Sequence, residues 1–180
     1  MASYVALLRG INVGGKNAVR MPELVAALAD AGYEDVRTHG QSGNVLFSTG
    51  RAGGARLETA IEKALETRFG IPILVIVRSR DELAATIDAA PADHGSPKLR
   101  SEVIFLKHPL TAKQAMAEVP ELREGVDAIA PGPGALYFSR VAERARTTRI
   151  QQFMAKPIFL RMTMRTWSTV QKLLALLDAD

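Results

Sequence analysis

Residues 7–17 read Leu7-Leu8-Arg9-Gly10-Ile11-Asn12-Val13-Gly14-Gly15-Lys16-Asn17, an apolar segment that runs directly into a glycine-rich, basic loop. The short apolar run at residues 3–8 predicts a buried strand that ends where the glycines begin. Glycines allow backbone N–H groups to turn inward around an anion without a Cβ clash. The stretch therefore predicts the first strand of the fold and one edge of a binding site.

Outward from this stretch, the first half of the chain predicts the element order β-α-β-β-α-β. A helix begins near Pro22 and ends before Gly32, and strands at 36–39 and 45–48 flank a tight turn at 40–44. Apolar residues at helical spacing over 57–69 precede Gly70 and a strand at 71–77. This order is that of a ferredoxin-like unit.

The second half of the chain predicts the same order. Capping boxes at Ser79/Glu82, Thr111/Gln114 and Thr148/Gln151 predict helix starts, and Pro131-Gly132-Pro133-Gly134 predicts a turn. Strands are expected at 102–106, 126–129, 136–139 and 158–162, and an amphipathic C-terminal helix at 167–177.

The predicted fold class is therefore α+β, an α/β sandwich of two ferredoxin-like units plus a C-terminal helix. We place the first unit at 1–78 with the glycine-rich loop, a linking helix and linker at 79–99, and the second unit with the C-terminal helix at 100–180.

The composition narrows the class of protein. The chain has 180 residues and no cysteine, which excludes disulfides, thiol nucleophiles and thiolate metal sites. The first residues lack the basic and apolar segments of a signal peptide, and the longest apolar run, at 71–77, is too short to cross a bilayer. We expect a cytoplasmic protein without a membrane partner.

The formal charge of +4 is unevenly distributed. Residues 140–165 hold seven basic residues and a single acid, Glu143. One interpretation is a cluster of Arg140, Arg144, Arg146, Arg161, Arg165 and Trp167 that binds phosphates and stacks on bases. The alternative is a solvated face, with Trp167 packed under the last helix.

Three stretches together resemble the bacterial domain of unknown function 1697 family. They are residues 8–17, the Gln41-Ser42-Gly43-Asn44-Val45 segment, and Trp167-Ser168-Thr169-Val170. The last departs from the family's Asn-Trp-Asn-Thr-Val, because Thr166 and Ser168 stand where that pattern has asparagines. The resemblance implies an α/β fold and an intracellular bacterial protein, and it implies no reaction.

The loop also matches most of the phosphate-binding pattern G-x-x-x-x-G-K-[ST]. Asn17 replaces the hydroxyl that would hold magnesium, and Pro22 places the helix too late. An NTPase is therefore disfavoured. Two alternatives stay open: an anion site without hydrolysis, and a loop that only turns the first strand toward the first helix.

Topology predicts that this loop meets the turn at 40–44. In a β-α-β-β-α-β unit the third strand runs antiparallel beside the first, so the end of the first strand and the start of the third share one sheet edge. Side-chain and backbone donors at that edge would suit phosphate or carboxylate. The alternative for Gln41 and Asn44 is turn formation. The predicted ligand-binding residues are Arg9, Gly10, Asn12, Gly14, Gly15, Lys16, Gln41, Ser42 and Asn44.

Two functional hypotheses follow. The first is a non-catalytic protein that binds a phosphate-bearing partner, nucleic acid or nucleotide, through these basic loops. The second is an enzyme that holds a small anionic substrate at the same edge, with Ser42 or His39 assisting, and it predicts an enclosed pocket there. The three histidines lack metal-ligand spacing, so we expect no metal and no cofactor.

Overall fold

The computed structural model describes residues 1–179, which divide into two compact units. Unit 1 contains Met1–Asp81 and the end of the chain from Leu173, and unit 2 contains Glu82–Lys172. Each unit is built on a four-stranded antiparallel sheet. The α+β class predicted from the sequence is confirmed.

Helices and strands alternate along both halves of the chain. The first half contains β1 (Ala2–Leu8), α1 (Met21–Asp30), β2 (Glu34–His39), β3 (Asn44–Thr49), α2 (Ala55–Phe69), β4 (Val75–Ser79) and α3 (Arg80–Asp88). The second half contains β5 (Leu99–Leu106), α4 (Ala112–Ala117), β6 (Asp127–Gly132), β7 (Ala135–Val141), α5 (Ile150–Met154), β8 (Met162–Thr166) and α6 (Trp167–Asp178). Two 3₁₀ helices, Ala142–Thr147 and Pro157–Arg161, flank α5.

The sheet of unit 1 has the strand order β2-β3-β1-β4. Strand β3 runs antiparallel beside β1, with Leu7 opposite Asn44 and Ala2 opposite Thr49. The C-terminal end of β1 therefore lies at the N-terminal end of β3. This is the neighbourhood on which the predicted site depends.

Helices α1 and α2 cover one face of that sheet. Alternate residues of β1, including Tyr4 and Leu8, join the core with Leu24 of α1 and Ile61 of α2, because side chains alternate between the two faces of a strand. Helix α2 ends as predicted, with Gly70 in the left-handed conformation (φ 70°) that glycine tolerates best.

Strand β4, at the edge of the sheet, is held by two carboxylates of α2. Glu58 Oε1 accepts a hydrogen bond from the Val77 N–H at 3.0 Å, and Glu62 Oε1 accepts one from the Val75 N–H at 3.0 Å. Residues four apart share one helix face, and alternate N–H groups point to the same side of a strand. The buried Glu58 also lies 3.7 Å from the guanidinium of buried Arg78.

Unit 2 has the strand order β6-β7-β5-β8. One face of its sheet packs against α4, α5 and the second 3₁₀ helix, in a core that includes Ile104, Phe138, Phe153 and Phe159. The Phe153 and Phe159 rings meet edge to face, with centroids 5.3 Å apart. The turn predicted from Pro131-Gly132-Pro133-Gly134 is confirmed, because Pro133 and Gly134 connect β6 to β7.

Two strand predictions were wrong in extent. Strand β4 begins at Val75 and not at residue 71, because its neighbour β1 ends at Leu8, opposite Val75. The segment predicted as a strand at 158–162 is a 3₁₀ helix, Pro157–Arg161, and β8 follows it. Pro157 at the start of that helix has the fixed φ that suits a first helical position.

Capping predictions were right at one helix and wrong at another. The capping box at α4 is confirmed, because Thr111 Oγ1 accepts from the Gln114 N–H while Gln114 Oε1 accepts from the Thr111 N–H. Helix α5 instead begins after Arg149. Thr148 Oγ1 accepts from the Ile150 N–H at 3.2 Å and donates to Asp127 Oδ1 at 2.5 Å, but Thr148 lies one residue before the N-cap.

Within residues 1–179, no helix is long and apolar enough to span a bilayer.

We predict that Glu58→Ala destabilises the protein by about 3 kcal/mol, because it removes a buried carboxylate and leaves the buried Arg78 guanidinium without that counter-charge. Equilibrium unfolding in urea measures the change. Glu66→Ala is the matched control on the exposed side of α2, with an expected change within about 0.5 kcal/mol. Equal effects of the two substitutions would contradict this role of Glu58.

Candidate functional site

The glycine-rich loop and the 40–44 turn meet in the structure. The Leu8 N–H donates to Gly43 O at 2.9 Å, and Asn12 Nδ2 donates to Gln41 O at 3.0 Å. The predicted neighbourhood of the two segments is confirmed, and it follows directly from the pairing of β1 with β3.

The loop itself forms a small two-stranded projection, residues 12–17, which we call the finger. The Lys16 N–H donates to Val13 O at 3.0 Å, and the Asn12 N–H donates to Asn17 O at 3.1 Å. Gly14 and Gly15, at its tip, have φ values of 59° and 72°. Two central residues with positive φ are typical of tight hairpin turns, where glycine fits best.

The finger does not have the geometry of a nucleotide-binding P-loop. In that motif successive backbone N–H groups point at the phosphates and a helix begins at once. Here the N–H groups of Asn12 and Lys16 are hydrogen-bonded within the finger, and α1 begins only at Met21.

Asn12 positions the finger. Its Nδ2 donates to Val19 O at 3.0 Å as well as to Gln41 O, and its Oδ1 accepts from the Val19 N–H at 2.8 Å. Asn17 Nδ2 adds a bond to Gly10 O at 3.1 Å. The Asn12 amide therefore holds the finger to Val19 and to the 40–44 turn through both its nitrogen and its oxygen.

Asn44 has a similar role in the turn. It is buried, and its Nδ2 donates to His39 O at 3.0 Å and to Ser42 Oγ at 3.4 Å. The alternative interpretation of this asparagine, as a turn-forming residue, therefore agrees with its contacts better than that of a ligand donor.

Gly43 is the closest point between the turn and β1. A Cβ at this position would lie 2.8 Å from Leu8 Cβ and 2.9 Å from Ile11 Cδ1, and φ is 84°. Only glycine fits both the conformation and the space. The glycine of the Gln-Ser-Gly-Asn segment is thus required for the approach of the two segments.

The remaining predicted residues lie at the surface of this edge. Arg9 is partly buried, and burial lowers the pKa of its guanidinium, which nevertheless stays charged at neutral pH. Lys16, Gln41 and Ser42 are exposed. Gly10, Gly14 and Gly15 are exposed as well.

One residue of this edge was missed by the sequence interpretation. Arg20 is exposed at the N-cap of α1, directly after Val19, whose backbone is bonded to Asn12. No side-chain cap bond is found there within residues 1–179, and the first turn of the helix contains one acid, Glu23.

The sequence feature that indicates Arg20 is that it belongs to a segment with several basic residues and no acid. Residues 1–22 contain Arg9, Lys16 and Arg20 but no Asp or Glu, and the first acid is Glu23. Residues 36–57, which include the turn, again contain no acid, and their three arginines lie outside the turn itself. The positive charge of this edge therefore comes from residues 9–20.

Ser42 is exposed, and its Oγ accepts a hydrogen bond from the Asn44 amide at 3.4 Å. Among residues 1–179 no group of three His, Asp or Glu side chains could hold a metal ion.

Two cavities of unit 1 lie away from the finger. One of about 370 Å³ is at the opposite end of the sheet, where Arg80 Nε donates to Asp178 Oδ1 at 2.7 Å. A larger groove of about 600 Å³ runs between α1 and α2 and is lined by Ala27, Asp30, Ala31, Ala60, Lys63, Ala64, Thr67 and Arg68. The enzyme hypothesis requires an enclosed pocket at the finger, and neither of these two cavities lies there.

In unit 2, the basic residues at 140–165 do not form the single cluster that one interpretation predicts. Arg140 Nη2 lies 3.4 Å from Glu102 Oε1. Burial raises the pKa of Glu102, while Arg140 and Arg100 oppose that shift. Arg165 is buried, donates to Thr163 Oγ1 at 2.7 Å, and has its pKa lowered to about 10 by burial.

Arg161 and Trp167 are separated from that group as well. The Lys107 N–H donates to Arg161 O, which places Arg161 beyond the end of β5 that is opposite to Arg100. The Trp167 ring packs edge-on against His94, with centroids 4.7 Å apart. Because the Trp167 indole packs against His94, its position does not support the interpretation in which Trp167 stacks on bases beside the arginines of residues 140–165.

The fold and site define a class: an α+β protein with two antiparallel four-stranded sheets and a cationic finger at one sheet edge of unit 1. The family described as "Protein of unknown function (DUF1697)" matches residues 1–137, and the chain belongs to that family. The family match includes the finger and the 40–44 turn. The resemblance inferred from those segments is confirmed.

A solved structure has the same fold over nearly the whole chain. It is described as the structure of conserved bacterial protein SP0830 from Streptococcus pneumoniae, with a TM-score of 0.86 and 26% sequence identity. The match covers 98% of this chain and 98% of that chain. No curated protein matches this sequence.

We predict that Gly43→Ala costs about 3 kcal/mol or more, because it combines a strained positive φ with a clash against Leu8. Gly40→Ala is the matched control: its φ is also positive, at 69°, but a Cβ there meets no atom within 4 Å, so we expect a loss of about 1 kcal/mol. Thermal or urea unfolding measures both. Similar losses would mean that the close approach to β1 contributes nothing.

A second pair of substitutions tests the anchoring of the finger. Asn12 and Asn17 have positive φ values of 54° and 52°, which glycine adopts without strain. Asn12→Gly removes three side-chain hydrogen bonds, whereas Asn17→Gly removes one. We expect Asn12→Gly to lower the local stability by about 2 kcal/mol, and Asn17→Gly by less. Amide hydrogen exchange at Val19 measures the difference. Unchanged exchange in the Asn12→Gly protein would contradict the anchoring role.

Proposed function

We propose that this protein binds a phosphate-bearing ligand at the edge formed by the finger and the 40–44 turn, and that it does so without catalysis. The observation that supports the proposal is the contact of two acid-free segments through Asn12, which brings exposed cationic side chains to one sheet edge.

Each cation has a distinct position at this edge. Lys16 is exposed on the finger, Arg9 is partly buried at its base, and Arg20 is exposed at the N-cap of α1. Arg9 can form two parallel hydrogen bonds with a phosphate, whereas Lys16 acts as a point charge. Gln41 and Ser42 supply neutral donors from the turn.

The side chains at this edge are of types that suit the binding of an anion: Arg9, Lys16 and Arg20 carry positive charge, and Gln41 and Ser42 are exposed. Phosphate recognition requires only positioned donors and positive charge, and this edge offers both.

The proposal predicts salt-sensitive binding of a fluorescently labelled inorganic polyphosphate, measured by fluorescence anisotropy. We expect Arg9→Ala and Lys16→Ala each to weaken binding and to reduce the slope of log affinity against log salt by about one. Measurements between about 50 and 200 mM salt would resolve such a change.

Lys63→Ala is the control, because Lys63 is exposed on α2 and lines the groove away from the finger. It removes the same charge and should leave the slope unchanged. Binding that responds equally to Lys63→Ala and Lys16→Ala would be diffuse attraction to a basic protein, and the proposed site would be wrong.

A further inference from the structure

We propose that the finger enters the major groove of duplex DNA, with Val13 and Lys16 directed at the base edges and the phosphates. The inference rests on the proposed function and names the partner for the same site. It is carried by the shape of the finger, the exposed valine near its tip, its rigid base and the residue types around it.

The finger has dimensions that suit this groove. It is a two-stranded ribbon, with Val13 bridged to Lys16 across the pair of glycines. The major groove of B-DNA is about 12 Å wide and about 8.5 Å deep, and it admits a two-stranded ribbon. Two residues on each side of the Gly14–Gly15 turn give a reach of at most about 7 Å, which is within the depth of the groove.

Val13 occupies an unusual position for an apolar side chain. It is 64% exposed, whereas the neighbouring apolar residues Ile11 and Val19 are buried at 1% and 3% exposure. An apolar side chain at the end of a polar finger gains from burial against a partner, and the methyl group of thymine offers an apolar contact in the major groove.

Side-chain hydrogen bonds hold the base of the finger in one conformation. Asn12 ties it to both Val19 and the 40–44 turn, and Asn17 ties it to Gly10. A preorganised finger loses little conformational entropy when it binds. Lys16 within the finger and Arg20 after it carry positive charge that complements the phosphates on either side of a groove.

The residue types favour a duplex over a single strand. Proteins that bind single-stranded nucleic acid stack the bases on aromatic side chains. Residues 9–20 and 40–44 contain no Phe, Tyr or Trp. A duplex, whose bases stay stacked on one another, needs no such platform.

The absence of cysteine from the sequence allows a direct test. Val13→Cys, labelled with a photoreactive maleimide, should crosslink to the bases of duplex DNA on illumination. Leu160→Cys is the matched control, because Leu160 is also an exposed apolar residue, at 62%, but lies in the 3₁₀ helix of unit 2. Crosslinking at position 13 alone is the expected result. Equal crosslinking at both positions would overturn the inference.

Anisotropy with unlabelled variants completes the test. We expect duplex DNA to bind more tightly than the single strand or the RNA duplex of the same sequence, and Val13→Asp to weaken duplex binding about tenfold or more, which is about 1.4 kcal/mol. Leu160→Asp should leave duplex binding unchanged.

If single-stranded DNA binds as tightly as the duplex, the inference is wrong. If polyphosphate binding depends on Arg9 and Lys16 while duplex binding does not involve Val13, the inference fails and the proposed function stands. If neither probe responds to Arg9→Ala, both fail.

Discussion

The approach of Gly43 to Leu8 is the constraint on which this edge of the protein depends. Strand β3 must begin where β1 ends, and the turn that precedes β3 has room for a hydrogen atom but not for a methyl group. Once that contact is made, the backbone of the turn lies within reach of Asn12, which in turn holds Val19 and the start of α1. A single steric condition therefore orders a loop, a turn and a helix terminus into one surface.

Helix ends were predicted correctly where their signal is local. Gly70 ends α2 because of its own conformational freedom, and the Thr111 and Gln114 side chains bond to backbone within the same turn of α4. Predictions failed where a distant residue competes. Thr148 has the spacing of a capping residue and accepts from the Ile150 N–H, but the distant Asp127 accepts from the Arg149 N–H at 2.9 Å, and the helix begins one residue later than predicted. Spacing alone does not reveal such a competitor.

The same distinction explains the candidate site. Strand order could be inferred from the sequence, and it correctly placed the loop beside the turn. The use of each donor could not, because an amide has equal capacity to hold the backbone or a ligand. Asn12 and Asn44 hold the backbone. Arg20 was overlooked because its place beside the finger depends on the Asn12 bonds to Val19.

The two glutamates of α2 have a consequence for assembly. A strand at the border of a sheet offers unpaired N–H groups to which another chain can add as a further strand. In β4 the N–H groups of Val75 and Val77 already have carboxylate acceptors, supplied from within the same unit. Another chain that adds as a strand along β4 would first have to displace Glu58 and Glu62. Helix α2 therefore opposes strand exchange and fibre growth at this edge of the sheet.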